Sequence, residues 1–260
     1  MLKKKAFFIT FEGIEGSGKS YQSKRLYKYL KKKGFQVYET KVPSFESIKQ
    51  RAMKLAVIID RILCENNTDK VNIIAHSMGG LDSRYLISKL GYGNKIASLT
   101  MIGTPNRGSP IADFALSITS WSRPLKNILR VIFGEHLSKK KISASLSQLT
   151  PSYLKNHFNK KIKDHPNVYY QSWSGESSLM GIKDQNQISP MLLFTFSILS
   201  MYGKKNDGLV SCHSAQWGKY RGALPADHFD QIGLPFLSFS NFDHQSFYEK
   251  VAYEIQSFGF

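Results

Sequence analysis

Val71-Asn72-Ile73-Ile74-Ala75-His76-Ser77-Met78-Gly79-Gly80 is the stretch on which the fold turns. A short β-branched apolar run leads into small-x-Ser-x-Gly, and a helical pattern follows over residues 81–90. This is the sequence form of a nucleophile elbow, in which the chain turns sharply from strand to helix and holds a serine hydroxyl above the sheet edge. Small residues flank the serine because a larger side chain would collide with the neighbouring strand or helix. Ala75 stands where glycine is commoner and is still small enough. The chemistry proposed by this pattern is acyl transfer through a serine ester. Five-residue serine patterns also arise by chance, so the meaning of this one depends on a base and an orienting acid that follow in order.

Strand and helix alternate on either side. Residues 6–11 read as a buried strand, 21–33 as a helix ending at Gly34, and 35–40 as a second strand. Residues 47–65 form a long helix with Ile48, Ala52, Leu55, Ala56, Ile59, Ile62 and Leu63 at helical spacing. Residues 71–75 and 96–102 are further strands, the latter closing at Gly103-Thr104-Pro105. The alternation predicts an α/β fold with a mostly parallel sheet and helices on both faces, and functional groups at the carboxyl ends of its strands. Over residues 110–166 it gives way to helical pieces at 111–120, 124–133 and 143–158, each apolar on one side. An insertion here would sit over the elbow as a helical lid whose apolar face could meet a lipid interface. The plainer alternative is a helical subdomain packed on the core. A strand resumes at 168–173.

The 260 residues suit a single domain with a large core, and 42% hydrophobic with 13% aromatic residues is a globular composition. No apolar run approaches the roughly 20 residues that cross a bilayer. Met1-Leu2-Lys3-Lys4-Lys5 is similar to the start of a signal peptide, but the apolar stretch after it stops at Glu12 and no small-residue cleavage site follows. The expectation for the chain as written is therefore a cytoplasmic protein, with a secreted origin of its C-terminal portion as the alternative. Cys64 and Cys212 are too few for a disulfide framework and read as free thiols. The net charge of +17 includes lysine clusters at 3–5, 31–33, 139–141 and 160–163. Such charge could favour anionic lipid or nucleic acid. The clusters are scattered and no nucleic-acid motif accompanies them, so a solvated surface and no nucleic-acid partner are expected.

Asn206-Asp207-Gly208, followed by Leu209-Val210, is a turn that could present the acid, though Asn-Asp-Gly is equally ordinary Asx-turn chemistry. Of seven histidines, His136, His157 and His165 precede Asp207, and His213 follows it too closely. His228, in Asp227-His228-Phe229-Asp230-Gln231-Ile232, and His244, just before the last helix, remain as candidate bases, and chain order alone does not separate them.

From Phe35 to the C-terminus the chain resembles the bacterial triacylglycerol lipases of the α/β-hydrolase fold. The segments that carry this are the stretch from Val71 through Tyr85, Ile102-Gly103-Thr104-Pro105-Asn106-Arg107-Gly108-Ser109, Asn206-Asp207-Gly208-Leu209-Val210-Ser211, and the loop of His228. The resemblance implies a lipid ester substrate, Ser77 as nucleophile, Asp207 as acid and His228 as base. It also implies an oxyanion donor in the Met78 amide. Asn106 departs from the histidine usual in that segment. The related lipases often hold a structural calcium near the catalytic histidine. Asp230 matches one ligand, but Ser189-Pro190 occupies the place of its partner aspartate, so no calcium or weak calcium is expected.

The N-terminus departs further. Where the lipases carry His-Gly, this chain reads Phe11-Glu12-Gly13-Ile14-Glu15-Gly16-Ser17-Gly18-Lys19-Ser20, a full match to the phosphate-cradling Gly-x4-Gly-Lys-Ser loop. Gly13, Gly16, Gly18, Lys19 and Ser20 are thus candidate phosphate-binding residues. Residues 5–40 resemble the start of thymidylate kinases, but the next arginine-containing loop of that family is replaced by Lys41-Val42-Pro43-Ser44, and no arginine-rich lid follows. The chain reads as a composite: a kinase-like strand, loop and helix joined near Thr40 to a lipase. The position matching the lipase oxyanion donor is Ile14, and Glu12 would oppose a developing oxyanion. The leading expectation is an ester hydrolase with Ser77, His228 and Asp207. The alternatives are a nucleotide-binding phosphotransferase using Lys19 and Ser20, and a lipase-like lipid-binding protein disabled by its altered loop.

Overall fold

A computed structural model describes residues 6–10, 19–43, 46–133, 139–180, 187–203, 205–234 and 240–260. Its sheet has six strands, all parallel: β1 (Ala6–Thr10), β2 (Val37–Thr40), β3 (Val71–His76), β4 (Ile96–Ile102), β5 (Tyr169–Gly175) and β6 (Lys219–Leu224), in the spatial order β2-β1-β3-β4-β5-β6. The helices are α1 (Lys19–Lys32), α2 (Ile48–Glu65), α3 (Met78–Lys89), α4 (Pro110–Ser117), α5 (Arg123–Phe133), α6 (Lys139–Ser147), α7 (Pro151–Tyr153), α8 (Asn159–Lys161), α9 (Leu193–Met201), α10 (Cys212–Ala215) and α11 (His244–Ser257).

The central strands β3 and β4 are buried along their whole length, which is why they read as continuous apolar runs. Their side chains divide between two cores with the period of two that a pleated strand imposes. Ile74 and Ile102 pack with Leu26 and Leu30 of α1 and with Tyr248, Val251 and Ile255 of α11. Val71, Ile73, Ala75, Leu99 and Met101 face the other way, onto Ala52, Leu55, Ile59 and Ile62 of α2 and Leu86 of α3. A bidentate ion pair between Arg51 of α2 and Asp82 of α3, with nitrogen–oxygen distances of 2.9 and 2.8 Å to one carboxylate oxygen, joins the two helices in the interior.

Several expectations change. The helix after the elbow begins at Met78 rather than Leu81, because the elbow passes directly from serine into helix. The helix expected over 143–158 is broken: α6 ends at Ser147, and Thr150, extended at φ −68° and ψ 145°, caps a new turn at Pro151. Proline disfavours helical backbone in the residue before it, which stops any helix running through this point. A π-turn at Leu154–Phe158 then leads into α8. Strand β6 and helix α9 were not anticipated. The sequence Lys219–Leu224 is polar and half-exposed at a sheet edge, and α9 is apolar on all sides, so neither shows a one-face period. Cys64 and Cys212 are free thiols. Among the described residues no helix is long and apolar enough to cross a membrane.

Candidate active site

The elbow stands at the carboxyl end of β3. Ser77 has φ 54° and ψ −131°, a positive φ that a side-chain-bearing residue rarely adopts. Its amide donates to Ile102 O at 2.9 Å, which ties the turn to the end of β4. A Cβ at Gly80 would overlap the Thr104 side chain, so the first turn of α3 lies hard against the loop after β4. Strain of this kind persists only where the surroundings over-determine it.

The structure brings Ser77, His228 and Asp207 together. Ser77 Oγ lies 3.0 Å from His228 Nε2, and His228 Nδ1 lies 2.8 Å from Asp207 Oδ2. His228 is 4% exposed and Asp207 fully buried, so both work outside the screening of bulk water. The His228 amide also donates to Asp207 O at 2.9 Å, joining the two loops through backbone as well as side chains. Asp207 Oδ1 accepts from the amides of Leu209 (3.0 Å) and Val210 (2.7 Å), and Oδ2 accepts from Gln231 Nε2 (2.8 Å) as well as facing the imidazole. The Asx turn and the acid are therefore the same carboxylate: one oxygen makes the turn and the other holds the histidine. The His76 ring packs on His228, with centroids 4.6 Å apart.

His244, the competing base, opens α11, and its ring rests against Gly233. Burial lowers its pKa, against the opposing charge of Asp243. It makes no hydrogen bond to Ser77 or Asp207 among the described residues. His213 is exposed on α10, where its carbonyl accepts from Arg107 Nη1 at 2.9 Å. Burial pushes the Cys212 thiol up to about 11, which keeps it protonated beside the acid loop.

Asn106, where the resemblance would have histidine, is buried and structural. Its Oδ1 accepts from Arg84 Nη1 at 3.1 Å, and its Nδ2 donates to Ala215 O at 3.1 Å. The Arg84 guanidinium lies 3.5 Å over the Trp217 ring, and burial lowers its pKa to about 10.

An apolar pocket opens on Ser77 and His228. Its wall is apolar, built from Met78 together with Ile111 and Ala112 of α4, Leu129 and Phe133 of α5 and Leu146 of α6. The residues of α4, α5 and α6 among them belong to the core of the helical insertion, which therefore forms one wall of the pocket.

The loop that carries Asp230 is held together by its own backbone amides. Asp227 Oδ1 accepts from the amides of Phe229 and Asp230, each at 2.8 Å, and Asp227 Oδ2 accepts from the Ser189 amide at 3.0 Å. Asp230 Oδ2 accepts from the Asp227 amide at 3.2 Å. Burial raises the Asp227 pKa, and these amides oppose the rise. The donors around this carboxylate are N–H groups, whereas calcium takes roughly six to eight oxygens. Among the described residues no group of three or more His, Cys, Asp and Glu side chains is arranged to hold a metal.

Gly13, Ile14, Gly16 and Gly18 lie outside the described residues, and Lys19 and Ser20 are described only as the start of α1. The register of β1 on β3 sets Thr10 beside Ala75.

A family model described as alpha/beta hydrolase fold matches residues 8–179. A relative from Saccharomyces cerevisiae, named triacylglycerol lipase 2, is 38% identical over 213 residues, which is 79% of this chain and 60% of the relative. The chain thus spans less than two thirds of that protein's length. A crystal structure of a Bacillus licheniformis lipase in mature form superposes with a TM-score of 0.71 at 22% identity, covering 88% of this chain and 87% of the other, which shows a shared fold. A thymidylate kinase from Halothermothrix orenii is 49% identical over 59 residues, only 23% of this chain and 28% of the kinase.

Proposed function

We propose that this chain, which belongs to the alpha/beta hydrolase fold family, is a serine hydrolase of lipid carboxylic esters, of the triacylglycerol lipase or esterase type. The observation that carries the reading is the hydrogen-bonded series Ser77 Oγ, His228 Nε2, His228 Nδ1, Asp207 Oδ2 at the mouth of an apolar pocket. In this reading His228 takes the proton of Ser77 Oγ as it attacks the ester carbonyl, then delivers it to the departing alcohol. Water, activated by the same imidazole, releases the fatty acid. Asp207 orients the ring and stabilises the imidazolium.

The Met78 amide, at the N-terminus of α3, is one proposed oxyanion donor. The second is an amide of the segment after β1, with Ile14 at the matching position. The pairing of Thr10 with Ala75 supports this, because it starts that segment beside the nucleophile. The helices α4–α6 are proposed as a lid that presents the pocket to a lipid–water interface, and the apolar lining suits an acyl chain. No calcium is required in this reading.

The test is hydrolysis of p-nitrophenyl esters of short and long acyl chains, with Ser77→Ala in parallel. Turnover that Ser77→Ala abolishes supports the reading. A folded chain that cleaves none of the esters sinks it, and lipid binding without turnover would point to a disabled relative.

A further inference from the structure

We infer that Gln231 is a positioning residue for the acid–base pair, its Nε2–H holding Asp207 Oδ2 in line with His228 Nδ1. The inference rests on the hydrolase reading above and deepens it. His228 and Gln231 are three residues apart, the second on the 3-10 turn Asp230–Ile232, and both reach the same carboxylate oxygen at 2.8 Å. One tight turn therefore delivers the base and a second donor together.

Gln231 is fully buried and threads between the carboxyl ends of two strands. A Cβ on Gly103, just past β4, would overlap its Oε1, and a Cβ on Gly175, at the end of β5, would overlap its Nε2. The two glycines leave a slot that the amide fills. The orientation of the amide is forced, because the reversed amide would set Oε1 against a carboxylate oxygen. As placed, Oε1 is buried with no hydrogen-bond partner among the described residues. Among the described residues the side-chain hydrogen bond of Gln231 is the one that its Nε2 makes to Asp207 Oδ2.

The consequence is chemical. With Oδ1 taken by two backbone amides and Oδ2 shared between imidazole and amide, the carboxylate cannot rotate, and its charge stays directed at Nδ1. The imidazole ring is then held in the orientation from which it can serve both Ser77 Oγ and the leaving alcohol.

The experiment is a double-mutant cycle on Gln231→Met and Asp207→Asn, with turnover of p-nitrophenyl butyrate counted per active site. Sites are titrated with a p-nitrophenyl alkylphosphonate, which also gives the rate of Ser77 phosphonylation and separates loss of fold from loss of turnover. In the Asp207 background Gln231→Met is expected to lower kcat by about 10- to 100-fold with KM nearly unchanged, the range for a buried hydrogen bond to a charged group. In the Asp207→Asn background the same substitution should cost less than about threefold, since no carboxylate remains to be held. Equal losses in both backgrounds, or a change confined to KM, would overturn the inference. Gln231→Leu repeats the comparison with a different apolar shape. A wild-type chain that neither reacts with the phosphonate nor cleaves the ester overturns the hydrolase reading as well. An active wild type with an indifferent Gln231→Met overturns this one alone.

Discussion

Replacing Ser77 by glycine should stabilise the protein relative to replacing it by alanine, the reverse of the usual order. Both substitutions remove the hydroxyl and its hydrogen bond to His228, so that loss cancels in the comparison. They differ in the backbone: alanine keeps the side-chain clash at φ 54°, ψ −131°, and glycine does not. A residue held in so sparsely populated a region costs about 1–3 kcal/mol. Against this, glycine surrenders about 0.5–1 kcal/mol more conformational entropy on folding. The net advantage of Ser77→Gly over Ser77→Ala is then roughly 0–2.5 kcal/mol, centred on about 1 kcal/mol. For a chain of 260 residues the unfolding entropy of about 2.1 cal/mol/K per residue gives about 0.5 kcal/mol per degree near the midpoint. The glycine variant should therefore melt about 2 °C, and at most about 5 °C, above the alanine variant. Thermal unfolding by calorimetry, with urea midpoints as a check, measures this directly, and both variants should be inactive on esters. If alanine is the more stable of the two, the elbow is not strained and the argument for stored backbone strain at Ser77 is refuted.

Asp82→Asn leaves Arg51 buried without its carboxylate and should cost about 3–5 kcal/mol, read as a lowered urea midpoint; a change under about 1 kcal/mol would place the α2–α3 contact in the apolar packing instead. Asp243 caps α11 through the Gln245 and Ser246 amides, and the Ser246 hydroxyl holds its pKa below the ordinary carboxylate value against the opposing effect of burial. A depressed folded pKa gives stability that is present above the unfolded value, about 3.9, and is lost as pH falls through the folded one. Asp243→Ala should therefore destabilise by about 1 kcal/mol at neutral pH and by progressively less below pH ~4. Chelation by EDTA should leave both the melting temperature and ester hydrolysis unchanged, because amide donors surround the Asp227 carboxylate beside Asp230; a drop in either that calcium restores would contradict this reading of the loop.

Local signals carried much of this protein. The elbow needs a strand, a serine between small residues and a helix in direct succession, and all of these are neighbours in the chain. The buried runs of β3 and β4 and the one-sided spacing of α2 predicted their elements for the same reason: a parallel sheet covered on both faces demands them. Asp207 was legible as a turn, and only the fold shows its second oxygen directed at a histidine. Chain order left His228 and His244 level. Three-dimensional packing separates them, setting one ring against Ser77 and the other against Gly233.

Edge strand β6 and the uniformly apolar α9 carry no one-face period, so their existence depended on what packs against them. Gln231 is the extreme case. It is a polar residue in a loop, and its placement depends on the missing side chains of Gly103 and Gly175, which come from the ends of two other strands. The alternation of β1 to β4 with α1 to α3 and the residue types of the elbow are legible in the chain, because both follow from periodicity and near-neighbour sterics. Which distant residues meet is set by the fold, because hydrogen bonds between loops depend on how the strand ends are brought side by side.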